Sequence, residues 1–224
     1  MSLTFAPRLA SAMTSSASVD ALLPLSFLEA VRTVDSPIEQ LEPEIELVGE
    51  LRNKRLGLSE TVYNQIKRYS EAVRKNQRAA HDEAAALAKL IGRRPDAEAV
   101  FRQAGRILAG EAYRTLSAVQ RHVVWILPNL FKKSLTTRYT RRLADRYFNG
   151  EVTRAGSSIY LEVNASVTVD SAPRGSGCAY YEAGLHELLR LLVNSGGVVE
   201  HVRCESRGEG TCRWRAEWRP LPRR

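Results

Sequence analysis

The sequence predicts an α+β fold, a helical layer packed on one face of an antiparallel sheet, in which four helices precede a β–β–α–β–β run. Three observations predict it. Apolar residues recur with a helical period between Ser59 and Phe148, the period changes to two after Gly150, and Gly or Pro punctuates the junctions. The 224 residues, 44% hydrophobic and 26% charged, suffice for one ordinary core, and no run of about 18 uncharged apolar residues is present to span a membrane.

Residues 1–57 read as an acidic, largely irregular leader. The first nineteen residues hold five serines and no acid, and they lack the apolar core of a secretory signal. Residues 20–34 are apolar enough for a short docking helix or strand, and the acidic run from Asp35 to Glu50 reads as a linker or lid. The folded domain is expected over residues 58–220. Charge divides the same way: residues 1–50 carry −6 and residues 51–224 carry +14, within a net charge of +8. A basic body of this kind fits nucleic acid, an anionic surface, a phosphate-bearing ligand, or its own acidic leader.

Ser59 is an N-cap with Glu60 in the first turn, and Val62, Ile66, Tyr69 and Val73 mark the buried stripe of a helix ending near Asn76. A second helix covers Ala79 to Ile91 and stops at Gly92. A third starts at Pro95, with Asp96 and Glu98 at the positive end of its dipole, and Ala104, Gly105, Ala109 and Gly110 imply close packing. Leu116 to Leu127 is apolar enough to be buried on most sides. Pro128 breaks it, and a basic segment runs from Asn129 to Phe148. Beyond Gly150, Ile159, Leu161 and Val163 alternate with Tyr160, Glu162 and Asn164; Val167 and Val169 extend the pattern, which predicts one or two strands. Asp170 to Gly177 is a turn-rich loop. A last helix spans Cys178 to Asn194, with Tyr181, Leu185, Leu188 and Leu192 facing inward. Strands over Val198–Glu205 and Thr211–Arg219 close the fold, with Trp214 and Trp218 in phase with Cys212 and Ala216.

All three cysteines fall in the last fifth of the chain, as Cys178-x22-His201-x2-Cys204-x7-Cys212. An odd, sparse set favours a reducing, cytoplasmic location over a disulfide framework. Three thiolates and an imidazole suit a tetrahedral, redox-silent Zn²⁺ with no open position, so the site would be structural. Two other readings stand beside it: small core cysteines, or a Cys204–Cys212 disulfide across the hairpin. Strand alternation places His201 and Cys204 on opposite faces unless the strand ends or bulges, whereas Glu200 shares the face of Cys204 and is the alternative fourth ligand.

The stretch from Cys178 through Val193, followed by Val199-Glu-His-Val-Arg-Cys-Glu-Ser-Arg-Gly-Glu-Gly-Thr-Cys-Arg-Trp, resembles the C-terminal signature of the four-vinyl reductase domain. In zinc-bearing members of that family a cysteine precedes the long helix, an acidic ligand stands ahead of a second cysteine, and a third follows seven residues later. Cys178, Cys204 and Cys212 match, and His201 stands where glutamate is usual. The specific motif covers residues 178–215 and the element order covers roughly 58–219. The resemblance implies bound Zn²⁺, homodimerisation, a fold shared with transport-particle subunits, and an apolar cavity for a small hydrophobic or aromatic ligand.

Candidate pocket residues from the sequence are Tyr113, His122, Trp125 and Tyr160, each an apolar body with a polar handle; the competing reading is that they are ordinary core residues. Lys132, Lys133, Arg138, Arg141, Arg142 and Arg146 form a basic face on one helix, expected to be solvated or to dock an acidic segment rather than to bind nucleic acid. No Walker loop, dinucleotide fingerprint, His-Glu-x-x-His or nucleophile elbow is present, so catalysis by this chain alone is not expected. The expected function is a zinc-stabilised sensor or carrier acting through a protein partner. The alternatives are an accessory or enzyme of tetrapyrrole metabolism and an interaction module of the transport-particle type.

Overall fold

The structure, a computed structural model, describes residues 18–36, 59–126, 129–194 and 196–217. Its elements in chain order are β1 (Ser18–Asp20), α1 (Leu22–Asp35), α2 (Glu60–Arg74), β2 (Arg78–Ala80), α3 (His81–Gly92), α4 (Ala97–Arg114), α5 (Ala118–Ile126), α6 (Asn129–Leu143), a π-turn over Ala144–Phe148, β3 (Glu151–Ala155), β4 (Ser158–Val163), a 3₁₀ turn over Pro173–Cys178, α7 (Ala179–Val193), β5 (Val199–Arg203) and β6 (Cys212–Glu217). The chain is α+β, with antiparallel sheets of two and four strands.

The four-stranded sheet runs β3-β4-β6-β5 with every neighbouring pair antiparallel. Alternation divides its faces. Val152, Ile159, Leu161, Val163, Val199, Cys212, Trp214 and Ala216 are buried, while the opposite face carries Arg215 paired with Glu200 at 2.6 Å, Arg213 beside Glu162 at 3.7 Å, and Arg213 over the Tyr160 ring at 4.6 Å. One apolar face and one polar face are what a sheet covered by helices on one side requires.

On the apolar side lies α7, buried on nearly every face between the sheet and α4. Glycine makes the α4–α7 crossing possible: a Cβ on Gly105 would sit 2.1 Å from the Tyr180 carbonyl oxygen; Gly184 also leaves room for the Phe148 ring, whose Cε1 a Cβ there would meet at 2.4 Å. The predicted close packing holds for Ala104, Gly105 and Ala109, which are buried, but Gly110 faces open space. Edge and tilted contacts link Phe27, Phe101, Phe148, Tyr180, Tyr181 and Trp214 into one aromatic core.

Several sequence expectations change at this level. Residues 18–36, read as part of the leader, are integral to the core: the docking helix expected over residues 20–34 forms as α1, with Leu22, Leu23, Phe27, Leu28, Ala30 and Val31 buried and Asp35 held by Arg94 at 2.6 Å. The remainder of residues 1–57, with Leu127, Pro128 and Trp218, falls outside the described residues. The second helix starts at His81 rather than Ala79, because residues 78–80 pair with 18–20 as a small ladder. The third starts at Ala97, since the Asp96 carboxylate bonds Arg94 instead of capping the helix. Val167 and Val169 lie in a turn, where the Thr168 N–H donates to the Ser166 hydroxyl, and not in a strand. The Leu116–Leu127 segment is not buried on most sides: Leu116 and Val124 are, but α5 sits at the periphery and leaves Val119 71% exposed.

Ser59 does cap α2, its hydroxyl accepting from the Val62 N–H at 3.3 Å. No helix among the described residues is long and apolar enough to cross a membrane.

Candidate metal centre

Three separate elements bring Cys178, His201, Cys204 and Cys212 together, with one ligand atom from each lying within 4.8 Å of the others. Cys178 is the N-cap residue of α7, delivered by the 3₁₀ turn. Cys212 opens β6 on its buried side. His201 and Cys204 come from β5 and the residue after it, and a register irregularity decides their placement: His201 pairs with Trp214 and Arg203 with Arg213, leaving Val202 as an extra, bulged residue. One extra residue reverses the alternation, so His201 and Cys204 both turn inward. Glu200 is thereby on the outer face with Arg215, away from the cluster. The geometry thus gathers His201, and not the alternative Glu200, with the three thiols.

The turn between the second and third cysteines is built for its task. Cys204 O accepts from the Arg207 and Glu209 N–H groups at 3.1 and 3.3 Å, and Gly208 and Gly210 adopt positive φ of 76° and 86°. The Cys204 N–H donates to Glu209 Oε2 at 2.7 Å, the Glu205 N–H points at Cys212 Sγ at 3.4 Å, and Ser206 Oγ is 2.9 Å from Cys204 Sγ. Such outer contacts orient donor sulfurs and support negative charge on them.

The cysteines are free and buried, so the Cys204–Cys212 disulfide is not formed; the Cys178 and Cys204 sulfurs lie 3.9 Å apart. Cys178 donates toward Cys212, which holds the Cys212 thiol far below the ordinary thiol range and, together with burial, pushes Cys178 far above it. Metal ligation by cysteine takes the thiolate form, which a nearby cation favours. The imidazole of His201 stacks on Trp214 with centroids 4.7 Å apart and 11° between planes. Its Nε2 is buried and without a hydrogen-bond partner among the described residues. Three convergent thiols and an orphaned imidazole nitrogen fit a tetrahedral metal ion.

An open pocket of about 890 Å³ adjoins this cluster, with Cys178 and His201 among its lining residues. The loop joining α3 to α4 and the first turn of α7 form its other walls. Arg102 bridges Glu98 and Glu182 there, at 2.9 and 2.8 Å, and Arg94 is clamped by Asp35 and Asp96. Lys89 and Arg93 also line it and have no ion-pair partner among the described residues.

The sequence-predicted pocket residues are not brought together. Tyr160 lies on the polar face of the sheet, Tyr113 is partly buried beneath Arg121 at 5.6 Å, and His122 is exposed. The Trp125 side chain lies outside the described residues. Sequence reasoning missed the metal-centre pocket because its lining comes from residues 89–102, 170–182 and 201, whose nearness depends on the α4–α7 crossing. No protein-family model matches the chain, and no curated protein matches it.

Proposed function

We propose that this chain is a zinc-stabilised small-molecule-binding module, with Zn²⁺ held by Cys178, His201, Cys204 and Cys212 and a binding pocket built against the metal centre. The observation that carries the reading is the convergence of four donors within 4.8 Å, two of which also line the adjoining pocket. Zinc is the metal that three thiolates and one imidazole select, and four protein donors leave no open position for activating water. The ion is structural: it ties the N-terminus of α7 to the β5–β6 hairpin and so fixes one wall of the pocket. The resemblance to the four-vinyl reductase domain, which rests on the cysteine pattern, supports the same reading.

The pocket lining refines the ligand class. With Lys89, Arg93, Arg94, Arg102, Glu98, Asp170 and Glu182 around it, the molecule it admits carries polar groups and is not the purely hydrophobic ligand that the resemblance implies. Occupancy is passed to a protein partner by way of α4 and α7, whose first turns both border the pocket.

Native mass spectrometry of the purified chain, with metal analysis of the same sample, tests the proposal. One zinc per chain with a retained organic mass, or with a thermal shift on screening polar metabolites, is the expected result. Absence of metal overturns the zinc assignment, and one zinc with neither adduct nor shift overturns the binding module.

A further inference from the structure

Between Glu111 and Asp145 the chain has no acidic residue: residues 112–144 hold seven Lys or Arg and no Asp or Glu. This segment contains α5 and α6, which meet each other and both pack on α7, with α6 also against β3. It also carries exposed apolar side chains. Val119 and Val123, one turn apart on α5, are 71% and 39% exposed, and Phe131 on α6 is 64% exposed. Along α6, Phe131, Ser134, Arg138 and Arg142 follow a helical stripe and all face solvent. Arg138 and Arg142 have no side-chain partner among the described residues, whereas most arginines elsewhere in the structure are paired with carboxylates.

We propose that the α5–α6 face docks the protein on an anionic lipid surface, with Phe131, Val119 and Val123 entering the headgroup region and Arg138 and Arg142 engaging lipid phosphates and carboxylates. The combination decides the partner. A cationic stripe alone suits any polyanion and Phe131 could stack on a base, but Val119 and Val123 gain nothing from a phosphodiester backbone and cannot stack, whereas a bilayer interface takes up all three with the arginines. Residues 112–144 carry no acid, and where Arg138, Arg141 and Arg142 share a cleft with Asp145 and Glu151 the cations still outnumber the carboxylates, so an anionic leaflet meets net positive charge. The absence of a spanning helix among the described residues fits attachment at the surface.

Flotation of the full chain with vesicles tests this, using phosphatidylcholine alone and phosphatidylcholine with about a third phosphatidylserine, each cation near such a surface being worth about a fivefold factor. Binding is expected to the second vesicle only and to weaken strongly at high salt. Arg138→Gln with Arg142→Gln should lower partitioning about 25-fold by the same factor, and Phe131→Ser about tenfold through lost apolar burial. These residues are exposed, so unchanged melting curves confirm that the variants stay folded. No anionic-vesicle binding, binding indifferent to Phe131→Ser, or tighter binding to duplex DNA than to the vesicles overturns the proposal. Metal removal does not enter the test, so its outcome is independent of the zinc reading.

Discussion

Cys204→Ser removes one of the four converging donors and leaves the aromatic core untouched. If the metal is present at about a thousand times its dissociation constant, it stabilises the folded chain by about 4 kcal/mol. For a chain of this size each kcal/mol moves the melting temperature by about 2–4 °C, so chelation of the wild type should lower it by about 8–16 °C. Scanning fluorimetry with and without chelator, alongside colorimetric zinc release, reads both quantities. Cys204→Ser should start from the lowered melting temperature and show no further response to chelator. His201→Gln should release metal more readily than the wild type. Glu200→Gln should retain it, because Glu200 is paired with Arg215 on the solvent face, an exposed contact that contributes little. A chelator-insensitive wild type would refute the metal centre, and zinc loss in Glu200→Gln with retention in His201→Gln would refute the geometry of β5.

Deleting Val202 should restore simple alternation, turn Cys204 outward and abolish metal binding, while Val202→Thr keeps the bulge and the metal; metal content of the two variants decides it. Gly105→Ala should destabilise by about 3 kcal/mol, because its Cβ meets the backbone of Tyr180 at 2.1 Å, and its urea midpoint would show this. Gly110→Ala, with nothing within 4 Å, should stabilise by about 0.5 kcal/mol through helix propensity alone. Hydrogen bonding from Arg94 holds the Asp96 carboxyl below its ordinary value of 3.8, so its contribution is complete above that pH and is lost as pH falls through the lower folded value. Asp96→Asn should therefore flatten the acid limb of the stability profile, and parallel wild-type and variant profiles would sink that assignment.

What the sequence revealed was local. The Ser59 cap and the β6 alternation that buries Cys212, Trp214 and Ala216 are encoded by neighbours in the chain, and the structure places them as expected. The three thiol donors were legible for the same reason, as a spacing. What escaped was set by tertiary contact. The apolar run of residues 20–34 signalled a docking element, but not that its Phe27 meets Phe101 and Tyr180 in the core. The hydrophobic content of α5 suggested burial, yet it lies at an edge with too few neighbours to cover it.

The fourth donor shows why spacing alone stops short. A strand read with strict period two offers Glu200 to the cluster, and a single bulged residue replaces it with His201. The replacement is possible because β5 is an edge strand, where an unpaired residue disrupts a ladder on one side only. It also has a consequence for rigidity: turned inward, His201 stacks on Trp214, which packs in turn on Tyr181 of α7 at 4.9 Å. The helix whose N-terminus presents Cys178 is thus joined to the strand that presents His201 by aromatic packing as well as through the donor cluster. Two independent links between the same elements hold the wall of the adjoining pocket, so a metal-depleted chain should loosen that wall before it loses the fold.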